Sequence, residues 1–385
     1  MNSVSEVSLD PERQRQAKIY ARIRRRLMLV DLAIGGLYML AWLAFGWSNV
    51  LKSFLMTYTS SPWLLVAGFG LVFGGIYYLI NLPLFYYEGY VLPQRFKLST
   101  QTPGGWIWDQ LKGLLVGVPL GLIMLEVIYA LLRAAPETWW LWAAILLLLF
   151  NVLLANLAPV LLFPIFNKYI PLSEEYADLA ERLLRLCERA GTQVKGVYQF
   201  DMSRRTTAAN AALTGLGNTR RIILGDTLLR NFSSDEIETV LAHELGHHVH
   251  RDIPLGILVG SLLTLIGLYL AGLGMAWGVE SLGFTGPDDI AALPLLVIVI
   301  SLFGLVTTPL ENAFSRWRER LADQYALQAT GNGRAYASAL GRIADQNLAE
   351  ADPEAWVELL LYSHPALGKR IAMAEAYASV SMAPQ

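Results

Sequence analysis

Six long apolar stretches, separated by polar segments, dominate this chain. They cover residues 27–47, 63–87, 113–132, 139–166, 253–279 and 290–310. An α-helix needs about 20 apolar residues to cross a bilayer, so each is a predicted span. The second, fourth, fifth and sixth hold no charged residue. Asp31 lies near the start of the first and Glu126 in the middle of the third. An acid inside a span faces a bundle interior or a wet cavity, or is paired or snorkels.

Between the spans the pattern changes. Leu179, Leu183, Leu184 and Cys187 recur at the spacing of an amphipathic helix over 172–190, which Gly191 ends. Residues 194–200 alternate as a strand. Residues 210–216 and 221–224 read as a hairpin around Gly217 and Asn218. Ser233, with Glu236 three residues on, is a capping box that opens a helix running toward the fifth span. Beyond the sixth span, helix patterns cover 312–330, 334–348, 353–362 and 367–378. No internal repeat is present.

Composition agrees with the spans. The chain is 54% hydrophobic and 16% charged, against about 25% charged in a soluble domain. Net charge is −2, which gives no argument for a nucleic-acid partner. Cys187 is the single cysteine and reads as a small buried residue, and no intrachain disulfide can form. Seven Lys and Arg residues lie between Arg13 and Arg26, while the loop 280–289 has none. Positive charge stays on the cytoplasmic side, which puts the N-terminus, residues 167–252 and residues 311–385 in the cytoplasm. The first span reads as a retained anchor, not a removed signal.

The most informative residues are His243, Glu244 and His247, in the order H-E-x-x-H on the helix opened by Ser233. Histidines at i and i+4 share a helical face, so both imidazoles can reach one Zn²⁺. Glu244 is then placed to take a proton from a water on that ion. A hydrolytic zinc site needs a third protein ligand and one open position. The fifth and sixth spans form an antiparallel pair, so the helix after them returns to the face of the membrane that carries His243. On that helix Glu319 is the candidate third ligand, and Asp323, four residues on, the acceptor for a ligand histidine's second N–H. His364, in Tyr362-Ser363-His364-Pro365, is a candidate for stabilising an oxyanion. His248 points off the ligand face, and His250 lies a turn too far along it; both read as interfacial residues.

Each residue has a plainer reading. H-E-x-x-H also occurs by chance on surface helices. Glu319 alone is a surface charge among Arg316, Arg318 and Arg320, and a histidine before a proline is commonly a loop or cap residue. It is the combination that points to one zinc ion per chain. The predicted fold is thus a mainly α integral membrane protein of about six transmembrane helices with a cytoplasmic zincin-like α/β metallopeptidase part. Its expected divisions are 1–26, 27–166, 167–252, 253–310 and 311–385.

From about Tyr77 onward the chain resembles the type I CAAX prenyl proteases, gluzincin-type membrane metallopeptidases. The resemblance rests on the His243–His247 motif, on Ser315, Arg316, Glu319, Ala322 and Asp323, and on Tyr362 to Pro365. Asn210-Ala211, Arg221 to Leu229, Tyr90 to Phe96 and the run 158–168 are also similar. It implies that His243, His247 and Glu319 bind zinc and that Glu244 is the base. It implies that His364 and Arg370 assist at the substrate and that Asn210 and Ala211 pair with its backbone. It also implies an intramembrane chamber closed by the zinc domain. The eukaryotic members have seven spans and six are counted here, so the family's extra N-terminal span is expected to be absent. The expected partners are the lipid bilayer and a peptide or protein substrate, prenylated or membrane-embedded. The expected location is a bacterial inner membrane or, in a eukaryote, the endoplasmic reticulum. Two other functions are a membrane-protein quality-control protease and a non-catalytic membrane binding protein.

Overall fold

The computed structural model describes residues 8–157, 161–215 and 220–381. The chain begins with α1 (Pro11–Ala44), α2 (Trp47–Met56), α3 (Pro62–Tyr86), α4 (Leu92–Arg95), α5 (Pro103–Ala134), α6 (Trp139–Leu157) and α7 (Phe163–Phe166). Pro11, Pro62 and Pro103 open their helices, where a missing N–H costs nothing. Asp10 and Thr102 cap the first turns of α1 and α5 with their side chains. Gly46 takes a positive φ of 66° and turns the chain from α1 into α2, a conformation glycine adopts without strain. A π-helical turn, Tyr87–Val91, joins α3 to α4.

Then follow β1 (Tyr169–Pro171), α8 (Ala177–Arg189), β2 (Val197–Phe200), β3 (Ala211–Thr214), β4 (Arg221–Gly225), α9 (Asp226–Asn231) and α10 (Ser234–Val249). The last elements are α11 (Asp252–Leu282), α12 (Leu293–Thr330), α13 (Gly333–Gln346), α14 (Ala355–Leu361) and α15 (Leu367–Ser381). The strands form one sheet in the order β1-β2-β4-β3. β2 runs parallel to β4, and the other two pairs are antiparallel. The hairpin strands pair as expected; the turn at Gly217 and Asn218 lies outside the described residues.

Five helical stretches are long and apolar enough to cross a membrane: Pro11–Ala44, Pro62–Arg95, Pro103–Ala134, Asp252–Leu282 and Ile290–Thr330. A shorter apolar helix, Trp139–Ala155, covers the fourth expected span. The expected span extends to residue 166; residues 158–160 lie outside the described residues, and the short α7, with Pro164 in its first turn, follows them. Leu79, Leu115, Leu258 and Val306 are exposed on these helices, although each is apolar. Such outward apolar side chains are stable against lipid, and the protein is a multi-pass membrane protein. Between the helices an aromatic core gathers Trp42, Phe69, Phe73, Tyr129 and Trp139.

Two boundaries differ from the sequence pattern. The basic segment before residue 27 is continuous with the first span in α1. Likewise the sixth span and the following helix are one helix, α12, of 38 residues. At 1.5 Å per residue it is about 57 Å long, nearly twice the roughly 30 Å hydrocarbon core. Its C-terminal half therefore stands clear of the membrane and packs on the peptidase part. There a second core joins α8, the sheet, α10, α13 and α15 through Leu183, Leu224, Leu241, Leu245, Leu340 and Ala374.

Candidate active site

The site is built where α10 crosses α12. The capping box of Ser233 and Glu236 fixes the start of α10. Leu241, Ala242 and Leu245 bury one side of it in the core. This leaves His243 and His247 facing α12, with Gly246 at the closest approach of the two helices. Glu319 and Asp323 project from the facing turns of α12 and are buried. The His243 and His247 Nε2 atoms are 3.2 Å apart. Glu319 Oε2 lies 3.3 Å from His243 Nε2, and Oε1 lies 3.4 Å from His247 Nε2.

One ligand atom from each of the three residues fits within 4.8 Å of the others. Glu319 Oε2 is buried and has no hydrogen-bond donor. Two imidazole nitrogens and a carboxylate that converge in this way fit a divalent metal ion.

The outer nitrogens of both histidines are held. His243 Nδ1 is 2.9 Å from Asp323 Oδ1. Arg370 grips Asp323 through Nε at 2.9 Å and Nη2 at 2.6 Å, and Tyr336 Oη joins them, 3.2 Å from His243 Nδ1. His247 Nδ1 is 2.7 Å from Asp252 Oδ2, and Asp252 in turn is held by Arg318 Nε at 2.6 Å. Asp252 is the first residue of α11, after a left-handed Arg251 at φ 55° breaks the helix. A residue that opens a membrane helix thus orients His247. Burial works against a charge on His247, but Glu319 and Asp252 outweigh it and hold its pKa at about 9. Burial likewise opposes a charge on His243, yet Asp323 and Glu319 raise its pKa.

Glu244 is half-buried and points beside the cluster. Among the described residues its carboxylate makes no hydrogen bond or ion pair. Burial raises its pKa, against the pull of the two histidines. Such a carboxylate is a better proton acceptor than one in solvent.

His364 approaches from the other side, with Nε2 3.2 Å from Glu319 Oε1. Its loop is pinned by Arg316, whose Nη1 donates to the carbonyls of Glu358 at 2.8 Å and Tyr362 at 2.6 Å. A cavity of about 730 Å³ opens at His364. Its walls are α1 (Tyr20, Arg24, Arg25, Asp31), Glu88 and the 347–370 segment, including Arg370. Asp31 therefore faces a cavity. Arg25 Nη1 pairs with the buried Glu350 at 3.1 Å, and Arg13 and Gln14 bond the end of α13. The basic N-terminal helix is part of the wall.

Asn210 is exposed at the mouth of β3, and its carbonyl accepts the Gly225 N–H at 2.9 Å. Ala211 is buried and pairs with Leu224. β3 is the edge of the sheet beside α10. His248 lies against Arg220 at 3.4 Å, and His250 against Tyr325, both away from the cluster. Glu126 is half-buried in α5, with Oε2 unpartnered.

Sequence reasoning missed Asp252, Arg318, Tyr336 and Arg25. Asp252 follows His247 by five residues, and an acid so near a histidine of the H-E-x-x-H motif was the available signal. Tyr336 gives no such signal, since only the packing of α13 brings it in.

Fold and site together define a membrane-embedded metallopeptidase. The profile of peptidase family M48 matches residues 173–378, and that of the CAAX prenyl protease N-terminal region, described as five membrane helices, matches residues 3–168. An uncharacterized metalloprotease of Bacillus subtilis is 30% identical over 371 residues, 95% of this chain and 86% of that protein. CAAX prenyl protease 1 of Saccharomyces cerevisiae is 30% identical over 311 residues, 76% of this chain and 68% of that protein. The crystal structure of Ste24p from S. mikatae superposes with a TM-score of 0.86, covering 97% of this chain and 92% of that chain at 24% identity. The chain belongs to peptidase family M48, among the CAAX prenyl protease relatives.

Proposed function

We propose that the protein is a zinc endopeptidase that processes lipophilic, prenylated C-termini in the manner of the CAAX prenyl proteases. The observation that carries the peptidase reading is the unpartnered Glu244 carboxylate beside the converging His243, His247 and Glu319. A two-histidine, one-carboxylate donor set with an open position suits catalytic zinc. Zinc bound there would acidify a water and polarise the scissile carbonyl.

The chain's own residues do the rest. Glu244 takes the water's proton and returns it to the leaving amine. His364, on the open side of Glu319, donates to the developing oxyanion. The outer side of β3, at Asn210 and Ala211, takes the substrate backbone as an added strand. Arg370 holds Asp323, and through it His243, while lining the substrate cavity. The prenyl reading rests on the CAAX prenyl protease relatives and on a cavity that runs from His364 to the wall of α1.

The site is proposed to face the cytoplasm of the membrane that holds it, a bacterial inner membrane or the endoplasmic reticulum. Positive charge is retained on that side, and Arg13 and Arg25 of the basic N-terminal helix bond directly to the peptidase part. The division into residues 1–26, 27–166, 167–252, 253–310 and 311–385 is kept here as a division by surroundings, two of its boundaries falling inside the continuous helices α1 and α12.

The test is cleavage of a farnesylated CAAX peptide and its unfarnesylated twin by purified protein. Glu244→Gln should lower the rate by about 10²–10⁴-fold with metal content unchanged, and a chelator should abolish it until zinc is restored. Full activity in Glu244→Gln would sink the peptidase mechanism. Equal cleavage of the two peptides would leave the peptidase and sink the prenyl reading.

A further inference from the structure

A second cavity, of about 620 Å³, lies away from the metal cluster, between the start of α5 and the end of α7. Four cations line it: Lys112, Lys168, Arg204 and Arg205. Only part of that charge is met within the protein. Asp109 is shared by Lys112 at 2.7 Å and Arg205 at 2.6 Å. Asp201 lies 3.7 Å from Arg204 and accepts the Lys168 backbone N–H, not its ammonium group. Lys168 has no ion pair among the described residues, and both Lys168 and Arg204 are exposed. Four cations against two carboxylates leave an excess of positive charge in a concave site.

The floor of the cavity is of another kind. Trp108 and Ile165 line it and are 59% and 42% exposed. From Trp108 the exposed apolar face of α5 continues through Leu111 and Leu115, three and seven residues on. The cations thus stand at the head of a lipid-facing stripe, at the end of the spans nearest the peptidase part. Lysine and arginine at this level attract anionic headgroups, and an exposed tryptophan marks the interface.

We infer that this cavity binds the headgroup phosphate of an anionic phospholipid, whose acyl chains lie along the Trp108–Leu115 face of α5. A free phosphate ion would use the same cations but not the apolar stripe. The charge comes from Lys112 of α5, from Lys168 just after α7, and from Arg204 and Arg205 of the 201–205 loop. That loop leads within a few residues to Asn210, so the lipid would tie the membrane helices to the edge strand.

The experiment is native mass spectrometry of the full chain, exchanged into phosphatidylglycerol or phosphatidylcholine of identical acyl chains. Phosphatidylglycerol should be retained in preference. The double variant Lys168→Gln/Arg204→Gln, which leaves the Asp109 pairs intact, should retain it roughly thirtyfold less well. Lys168→Glu alone is the second variant should the double one not fold, and it should lose the preference. Equal retention by either folded variant and the parent would overturn the site. Displacement of the lipid by millimolar inorganic phosphate, with tight binding of phosphate alone, would overturn the lipid assignment.

Discussion

A methyl group on Gly246 would lie 2.8 Å from the Ala322 Cα and 3.0 Å from the Ala322 carbonyl oxygen. The glycine inside the H-E-x-x-H motif therefore sets how closely α10 meets α12. That distance decides whether Glu319 reaches the two histidines. Overpacking costs about 1–3 kcal/mol, and a shift of about 1 Å at a reacting centre can cost about 10²-fold in rate. Gly246→Ala should fold with reduced stability, bind metal weakly and lose most activity. Bound metal per chain and peptide cleavage, measured together, check this; full metal content with wild-type activity would refute it.

Asp252 is predicted to matter as much as Asp323, although it lies in the first turn of a membrane helix. Removing an acceptor for a ligand histidine costs about 10–100-fold in metal affinity. Asp252→Asn should show that loss in competition with a chromophoric chelator. An unchanged affinity would mean that the contact to His247 is incidental.

Arg25 should support the His364 loop. It pairs with Glu350, whose side chain is only 7% exposed. A buried charge left without its partner destabilises strongly, up to about 3–5 kcal/mol. Arg25→Gln should lower the melting temperature and slow turnover, with bound metal retained. Arg25→Gln/Glu350→Gln should recover much of the stability, because it leaves no orphan charge. Additive losses in the double variant would argue against the pair.

Metal affinity should depend on pH in a defined direction. In the metal-free protein His247 has a pKa of about 9, so it is protonated at neutral pH. A metal ion must displace that proton. Apparent affinity should therefore fall about tenfold for each unit below about pH 9, for this one group. Calorimetry in buffers of different ionisation enthalpy should detect proton release on binding at pH 7. No release would show that His247 is neutral before metal arrives.

Much of the chemistry was legible in the chain. His243, Glu244 and His247 are recognisable because helical geometry alone puts i and i+4 on one face. Glu319 was reachable because two antiparallel spans return the chain to the same side of the membrane. The capping box at Ser233 and Glu236 needed only local spacing. The limits were equally physical. The long helices α1 and α12 each hide a polar half and an apolar half, which hydropathy divides at a boundary the backbone does not have.

Length, apolar runs and residue spacing by themselves determined that this chain enters a membrane several times and carries a metallopeptidase motif. These are local properties, fixed by helical repeat and by the thickness of a bilayer. Tertiary structure alone decided that Asp252 and Arg318 hold His247, that Tyr336 and Arg370 close around Asp323, and that the basic N-terminal helix walls the cavity at His364. Those contacts join residues from separate helices, and apart from the five-residue spacing of His247 and Asp252 nothing local encodes which side chains packing will bring together.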